Sequence, residues 1–244
     1  MSIYQDISGN RALRKFTILV DPDKYDERKL SELSELAIES KVDLIFMGGS
    51  LMTQDHLEES ISLVKKLTGI PVILFPGSLM QINGKADAIL FLSLISGRNA
   101  DLLIGNHIIA APYLKQSNLE ILPTGYMLIE SGQATTAQYI SGTIPIPSDK
   151  DDIAACTAMA GEMLGLKLIY MDAGSGARNP VPASMIRSVR ENISIPLIVG
   201  GGIKTPEQAQ NACKAGADVL VVGNAIEKDF SLIKELASAV HSTT

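Results

Sequence analysis

The chain has 244 residues, 46% hydrophobic and 20% charged, with a formal net charge of −6. That is ample material for one large core, and barrels commonly run to about 250 residues as one domain, so residues 1–244 are expected to form a single domain. The acidic balance points away from nucleic acid, whose phosphates call for a basic face, but leaves open a phosphorylated metabolite held by a local ring of backbone N–H groups.

The N-terminal stretch to Lys15 is polar, and no apolar run reaches the roughly 18 residues of a membrane span, so a cytoplasmic protein without a transmembrane segment is expected. Strand-length apolar runs follow at residues 17–21, 43–47, 71–75, 88–92, 121–128, 167–172, 196–199 and 218–222, most of them continuous, as in parallel strands buried on both faces. Amphipathic segments of helix length alternate with them. Thr205-Pro206-Glu207 reads as a helix start, Ser148-Asp149 as a cap for a helix from Asp152, and Gly69, Gly165 and Gly216 as helix stops. Cys156 and Cys213 fall in such helices without metal-ligand spacing and are read as buried free thiols. Eight strands alternating with helices predict a modified (β/α)8 TIM barrel rather than an open doubly wound sheet. About a dozen residues, 76–87, separate the third and fourth strands, too few for a full crossover helix. A truncated or replaced third helix is therefore expected, with a groove in the barrel wall suited to an elongated apolar ligand.

Candidate functional residues gather just after the strands. Asp21-Pro22-Asp23-Lys24 ends the first strand, and two carboxylates on a short turn suit Mg²⁺, although a turn that merely starts a helix reads the same way. Gly48-Gly49-Ser50 ends the second. Asn99, Asp101, Asn106 and His107 lie near a helix, with His107 either a diphosphate contact or a surface histidine. The sixth strand ends in Tyr170-Met171-Asp172-Ala173-Gly174-Ser175-Gly176. Asp172 there is placed to take a proton from a hydroxyl, or to cap a turn, and Tyr170 is either core or substrate contact. Gly200-Gly201-Gly202-Ile203 and Gly223-Asn224 follow the last two strands, the usual phosphate site of barrels, where glycine lets a ligand approach the backbone.

In this order and at these strand ends, the motifs resemble the geranylgeranylglyceryl phosphate synthase family, and the Ala-Gly-Ser-Gly-Ala loop resembles its bacterial branch. The resemblance spans nearly the whole chain. It implies a prenyltransferase that joins sn-glycerol 1-phosphate to geranylgeranyl diphosphate through an ether bond, releases diphosphate, needs Mg²⁺ and serves phospholipid biosynthesis. It implies metal ligation by Asp21 and Ser50. Tyr170, Met171, Asp172, Ala173, Gly174, Ser175, Gly176, Gly201, Gly202, Gly223 and Asn224 then form the glycerol-phosphate site, with Asp172 as the catalytic base. Many members carry glutamate at this last position, so the carboxylate here is one methylene shorter. Phe91 to Ile95, Ile108 and Ile109 are candidates for a prenyl channel, and an apolar outer face would favour a homo-oligomer. A phosphate-binding barrel isomerase and a non-catalytic phosphate-binding barrel share the glycine cradle. A Schiff-base aldolase fits less well, because Lys167 sits at the start of its strand.

Overall fold

The computed structural model describes residues 2–243. Eight parallel strands close in sequence order into a barrel: β1 (Lys15–Val20), β2 (Leu44–Met47), β3 (Val72–Leu74), β4 (Ala88–Leu94), β5 (Glu120–Leu128), β6 (Leu168–Asp172), β7 (Leu197–Gly200) and β8 (Val219–Val222). Each lies within a few residues of its expected place. Side chains alternate between two cores, as the pleat requires. Phe46, Ile73, Leu90, Leu122, Tyr170 and Val221 fill the barrel, while Ile45, Ile89, Ile169 and Leu220 face the surrounding helices.

The barrel's N-terminal end is closed by α1 (Ile3–Gly9), whose Ile7 joins the interior cluster. Its first turn is held twice over. Ser2 and Gln5 form a reciprocal capping box, and Glu120 at the start of β5 accepts from the N–H groups of Ile3 and Tyr4 at 2.7 and 2.9 Å. The Ser-x-x-Gln signature was readable, but the expectation for this segment was only that it is polar.

The outer layer holds α2 (Glu27–Glu39), α3 (Leu57–Thr68), α4 (Asn106–Gln116), α5 (Thr136–Ser141), α6 (Asp151–Met163), α7 (Ala183–Asn192), α8 (Pro206–Ala215), α9 (Asn224–Lys228) and α10 (Leu232–His241). Thr205 caps α8 in a second capping box, as expected, and Gly69 and Gly216 end α3 and α8. The Ser148-Asp149 cap is corrected: α6 starts at Asp151 with Lys150 in the cap position and no side-chain cap. Ser148 turns instead to the Glu130 carboxylate. Cys156 is also corrected, being exposed on α6, whereas Cys213 is buried as expected and burial pushes its thiol up to about 12.

Between β3 and β4 the chain makes one 3-10 turn, Leu79–Gln81, in place of an outer helix. Gln81 is buried and staples this segment to the β2 loop. Its amide donates to the Gly49 carbonyl at 2.8 Å and its carbonyl accepts from Gly49 and Gly77 N–H at 3.2 and 3.1 Å. The next helix begins with a π turn at Asp101–Gly105, the wide winding that often marks a functional surface. No helix among the described residues is long and apolar enough to cross a membrane.

Candidate active site

The C-terminal ends of the strands surround a mouth cavity of about 820 Å³. Its floor is a layer of aromatic rings from β5, β6 and the end of β3. Phe75 stacks on Tyr170 at 5.2 Å, and Tyr126 meets Tyr170 edge-on at 5.5 Å and Phe75 at 5.9 Å. Tyr170 is thus both core and floor: it is 1% exposed, yet it lines the cavity.

Asp172 ends β6 with its carboxylate gripped at both oxygens. Oδ1 accepts from Gly174 N–H at 2.7 Å and Oδ2 from the Tyr126 hydroxyl at 2.7 Å. Burial pushes its carboxyl above the usual carboxylate range, against the pull of those two donors. The same burial, reinforced by Asp172, holds the Tyr126 phenol protonated. Tyr126 was missed from the sequence; it pairs with Tyr170 in register across β5 and β6, which places its hydroxyl beside the strand tip.

Of the expected phosphate-site residues, Asp172, Tyr170, Gly174, Ser175, Gly176, Gly201, Gly202, Gly223 and Asn224 line the mouth. The side chains of Met171 and Ala173 do not; they alternate outward into the helix-facing core, and the Ala173 N–H is given to the Gly200 carbonyl at 3.0 Å. Asn224 opens α9, the short extra helix after β8. Its Oδ1 accepts from Gly176 N–H at 2.9 Å and Ser175 Oγ at 3.3 Å, and its amide donates to Glu227 at 3.1 Å. Glu227 in turn accepts from Lys24 Nζ at 3.0 Å, and Lys24 lies 3.4 Å from Asp21. This chain of polar contacts, with Glu227 a member that the sequence did not single out, joins the β1 and β6–β8 sides of the mouth.

Gly202 needs a correction. Its φ is +72°, and a Cβ there would stand 2.4 Å from the Asn179 carbonyl oxygen, so the protein itself, before any ligand, demands glycine. Gly223 differs: its φ is ordinary and a Cβ would first meet Leu19 at 3.3 Å. Gly223→Ala should therefore fold with only a small loss of melting temperature, as the Leu19 side chain gives by a few tenths of an ångström. It should raise the KM for a phosphorylated ligand by about tenfold, equivalent to roughly 1.4 kcal/mol. Gly202→Ala should also lower the melting temperature much further. Steady-state kinetics beside thermal melts of both variants separate the two cases.

Asp21 does cap a short turn, accepting from Asp23 N–H at 3.3 Å, yet its carboxylate also faces the mouth, about 3.1 Å from where a side chain at Gly49 would stand. Burial raises its carboxyl, against the attraction of Lys24. Asp23 turns away, accepting from the Thr53 hydroxyl at 2.9 Å. Among the described residues no cluster of three or more His, Cys, Asp or Glu is placed to hold a metal. One carboxylate with the Ser50 hydroxyl on the same rim is still a fitting donor set for Mg²⁺, which keeps several waters and draws further ligands from substrate phosphates.

Beside the mouth, where the third helix is absent, an apolar groove runs between residues 76–82 and α4. Gly49, Ser50, Phe75 and Tyr126 line both the groove and the mouth, so the two adjoin along a shared wall. Phe91, Leu92 and Leu94 line it as expected. Ser93, Ile95, Ile108 and Ile109 do not, the last two being 69% and 56% exposed on the outer face of α4. His107 is neither a surface residue nor near the polar rim. It is buried in the groove wall, edge-on to Phe91 at 4.3 Å, and burial lowers its pKa, keeping it neutral.

Residues 9–240 match the PcrB family model. The chain belongs to the PcrB family. Its relatives include the geranylgeranylglyceryl phosphate synthase of Chitinophaga pinensis, 56% identical over 98% of this chain and 96% of that one. The synthase of the same name from Korarchaeum cryptofilum is 42% identical over 92% and 93%. A crystal structure of (S)-3-O-geranylgeranylglyceryl phosphate synthase from Thermoplasma acidophilum, in complex with its substrate sn-glycerol-1-phosphate, superposes with a TM-score of 0.93. It is 31% identical and 99% of each chain is covered.

Proposed function

We propose that the chain transfers the geranylgeranyl group of its diphosphate to a hydroxyl of sn-glycerol 1-phosphate, forming an ether bond, releasing diphosphate and feeding phospholipid biosynthesis. The observation that carries this reading is that a polar, glycine-rich mouth and an apolar groove share a wall of Gly49, Ser50, Phe75 and Tyr126. A phosphate-binding isomerase has use for the first and none for the second. The names of the relatives support the same reading.

In this reading the phosphate of the acceptor lies among Ser175, Gly201, Gly202, Gly223 and Asn224. Its binding takes over the Ser175 hydroxyl and Gly176 N–H that Asn224 now engages. The glycerol hydroxyl then points toward Asp172 and Tyr126. The prenyl tail fills the groove along Phe91 and Leu94, with its diphosphate at the Asp21–Ser50 rim. Asp21 and Ser50 would hold Mg²⁺ there, and the ion would supply charge neutralisation for the leaving diphosphate. Lys24, held by Glu227, adds a second positive charge to that rim. We place the protein in the cytoplasm, a reducing compartment in keeping with Cys156 and Cys213 as free thiols.

The test is incubation of the pure protein with radiolabelled sn-glycerol 1-phosphate, Mg²⁺ and a series of prenyl diphosphates. An organic-soluble labelled ether is expected, with geranylgeranyl diphosphate among the productive donors. Phosphate binding without product from any donor would return the chain to a plain phosphate-binding barrel. For the metal, Asp21→Asn retains an acceptor for the turn. It should raise the Mg²⁺ concentration for half-maximal activity by at least about tenfold, the loss typical of even an outer-shell substitution. The KM for glycerol phosphate should stay near normal. Equal loss of both substrates would place Asp21 in a shared site instead.

A further inference from the structure

Where the groove meets the mouth, the side chains of Ser50, Phe75 and Tyr126 face both, and of these Tyr126 is the one whose hydroxyl is bonded to Asp172. The acceptor hydroxyl must meet the first carbon of the prenyl chain at this junction, because each substrate occupies one of the two spaces. Asp172 lies behind Tyr126, only 5% exposed, with Oδ2 already occupied by the Tyr126 hydroxyl at 2.7 Å and Oδ1 by Gly174 N–H. The Tyr126 ring is fixed between Phe75 and Tyr170, so its hydroxyl does not swing aside without disturbing the aromatic floor.

We infer that Tyr126 relays the acceptor's proton to Asp172. The inference rests on the prenyl-transfer reading. As the bond from the glycerol oxygen to the prenyl carbon forms, the carbon–oxygen bond to diphosphate breaks and its electron pair leaves with the diphosphate. The proton of the glycerol hydroxyl passes to Tyr126 Oη while the phenolic proton passes to Asp172 Oδ2. Tyr126 ends as a neutral phenol and Asp172 as a carboxylic acid, so atoms and charge balance within the site. The shifts agree with this order of events: burial makes Asp172 a stronger base than an ordinary carboxylate and keeps the phenol protonated until the moment of transfer. The shortness of the Asp172 side chain is no handicap, since Tyr126 covers the remaining distance.

The experiment is single-turnover kinetics on Tyr126→Phe and on a series of ring-fluorinated tyrosines placed at 126, with solvent-deuterium proton inventories. The fluorinated rings keep shape and hydroxyl, so they report on chemistry even if Tyr126→Phe folds poorly. Tyr126→Phe should lower the rate about 10²-fold, the lower end for acid–base catalysis, with little change in KM for glycerol phosphate. The rate should vary with phenol acidity along the fluorinated series, and the wild-type inventory should curve, as two protons in flight require. A near-normal rate in Tyr126→Phe overturns the relay. A lowered rate with a flat fluorotyrosine series and a linear inventory overturns it too, leaving Tyr126 as a residue that positions Asp172. Wild-type protein that yields no ether with any donor overturns the activity, and the relay with it, whereas the other two outcomes leave the activity standing.

Discussion

Asp172→Asn should lower kcat by about 10²–10⁴, the usual worth of a general base, without lowering stability. The two halves of this expectation share one cause. Burial raises the folded-state pKa of Asp172 above the ordinary 3.8. For an acid shifted in this direction the folded state binds the proton more readily than the unfolded state does. Its contribution to stability is therefore fully present below the unfolded pKa and is lost as pH rises through the folded pKa. At neutral pH the charged carboxylate costs stability, and the same strain makes it a better proton acceptor. Asparagine resembles the protonated form. It keeps an oxygen for Gly174 N–H, and its melting temperature at pH 7 should match or exceed that of the wild type, with the gap closing toward pH 3. The activity of the wild type should fall on the acid side as pH drops through the raised pKa, and this limb should vanish from the residual activity of the variant. The measurements are single-turnover rates at saturating substrates and thermal melts across pH. A near-normal kcat, or a variant that melts well below the wild type, would make Asp172 a structural cap.

Strand positions were legible because parallel strands packed on both faces must be apolar throughout, and the polar residues that interrupt these runs sit at their ends. Asp172, Ser175 and Asn224 stand out for that reason. The absent third helix was legible from chain length alone, since residues 76–87 cannot span a crossover. What sequence did not carry is register. Tyr126 reaches Asp172 because β5 and β6 pair it with Tyr170, 44 positions away in the chain, and no spacing rule encodes that. Glu227 likewise looks like an ordinary first-turn acid of α9 until Lys24 and Asn224 are seen to converge on it. Side-chain direction also escaped: Met171 and Ala173 share the motif of Asp172 but point the other way, because alternation along a strand splits a contiguous motif between two cores.

Asp218→Asn should destabilise the protein by about 3 kcal/mol, with no effect on catalysis. Asp218 precedes β8 at the end of the barrel opposite the mouth and is 3% exposed. Its oxygens accept from Arg11 at 3.2 Å, Arg14 at 2.9 Å, Arg190 at 3.0 Å and the Leu197 N–H at 2.8 Å. One carboxylate thus ties the segment after α1 to α7 and to the starts of β7 and β8. Burial lowers the Arg190 pKa despite the attraction of Asp218, a sign that this guanidinium is poorly solvated. Removing the negative charge leaves three guanidiniums crowded around a neutral amide. Breaking a buried pair typically costs about 3–5 kcal/mol, and the lower end applies because the arginines keep some contact with water. For a chain of this length that corresponds to a fall of about 6–12 °C in melting temperature. Glycerol-phosphate KM and kcat, measured well below the transition, should be unchanged, because no residue of the cluster lines the mouth or the groove. A melting temperature within about 2 °C of the wild type, the shift expected from less than 1 kcal/mol, would show that the arginines find other partners or water, and that the tie between the ends of the chain lies in the packing of Ile7 instead.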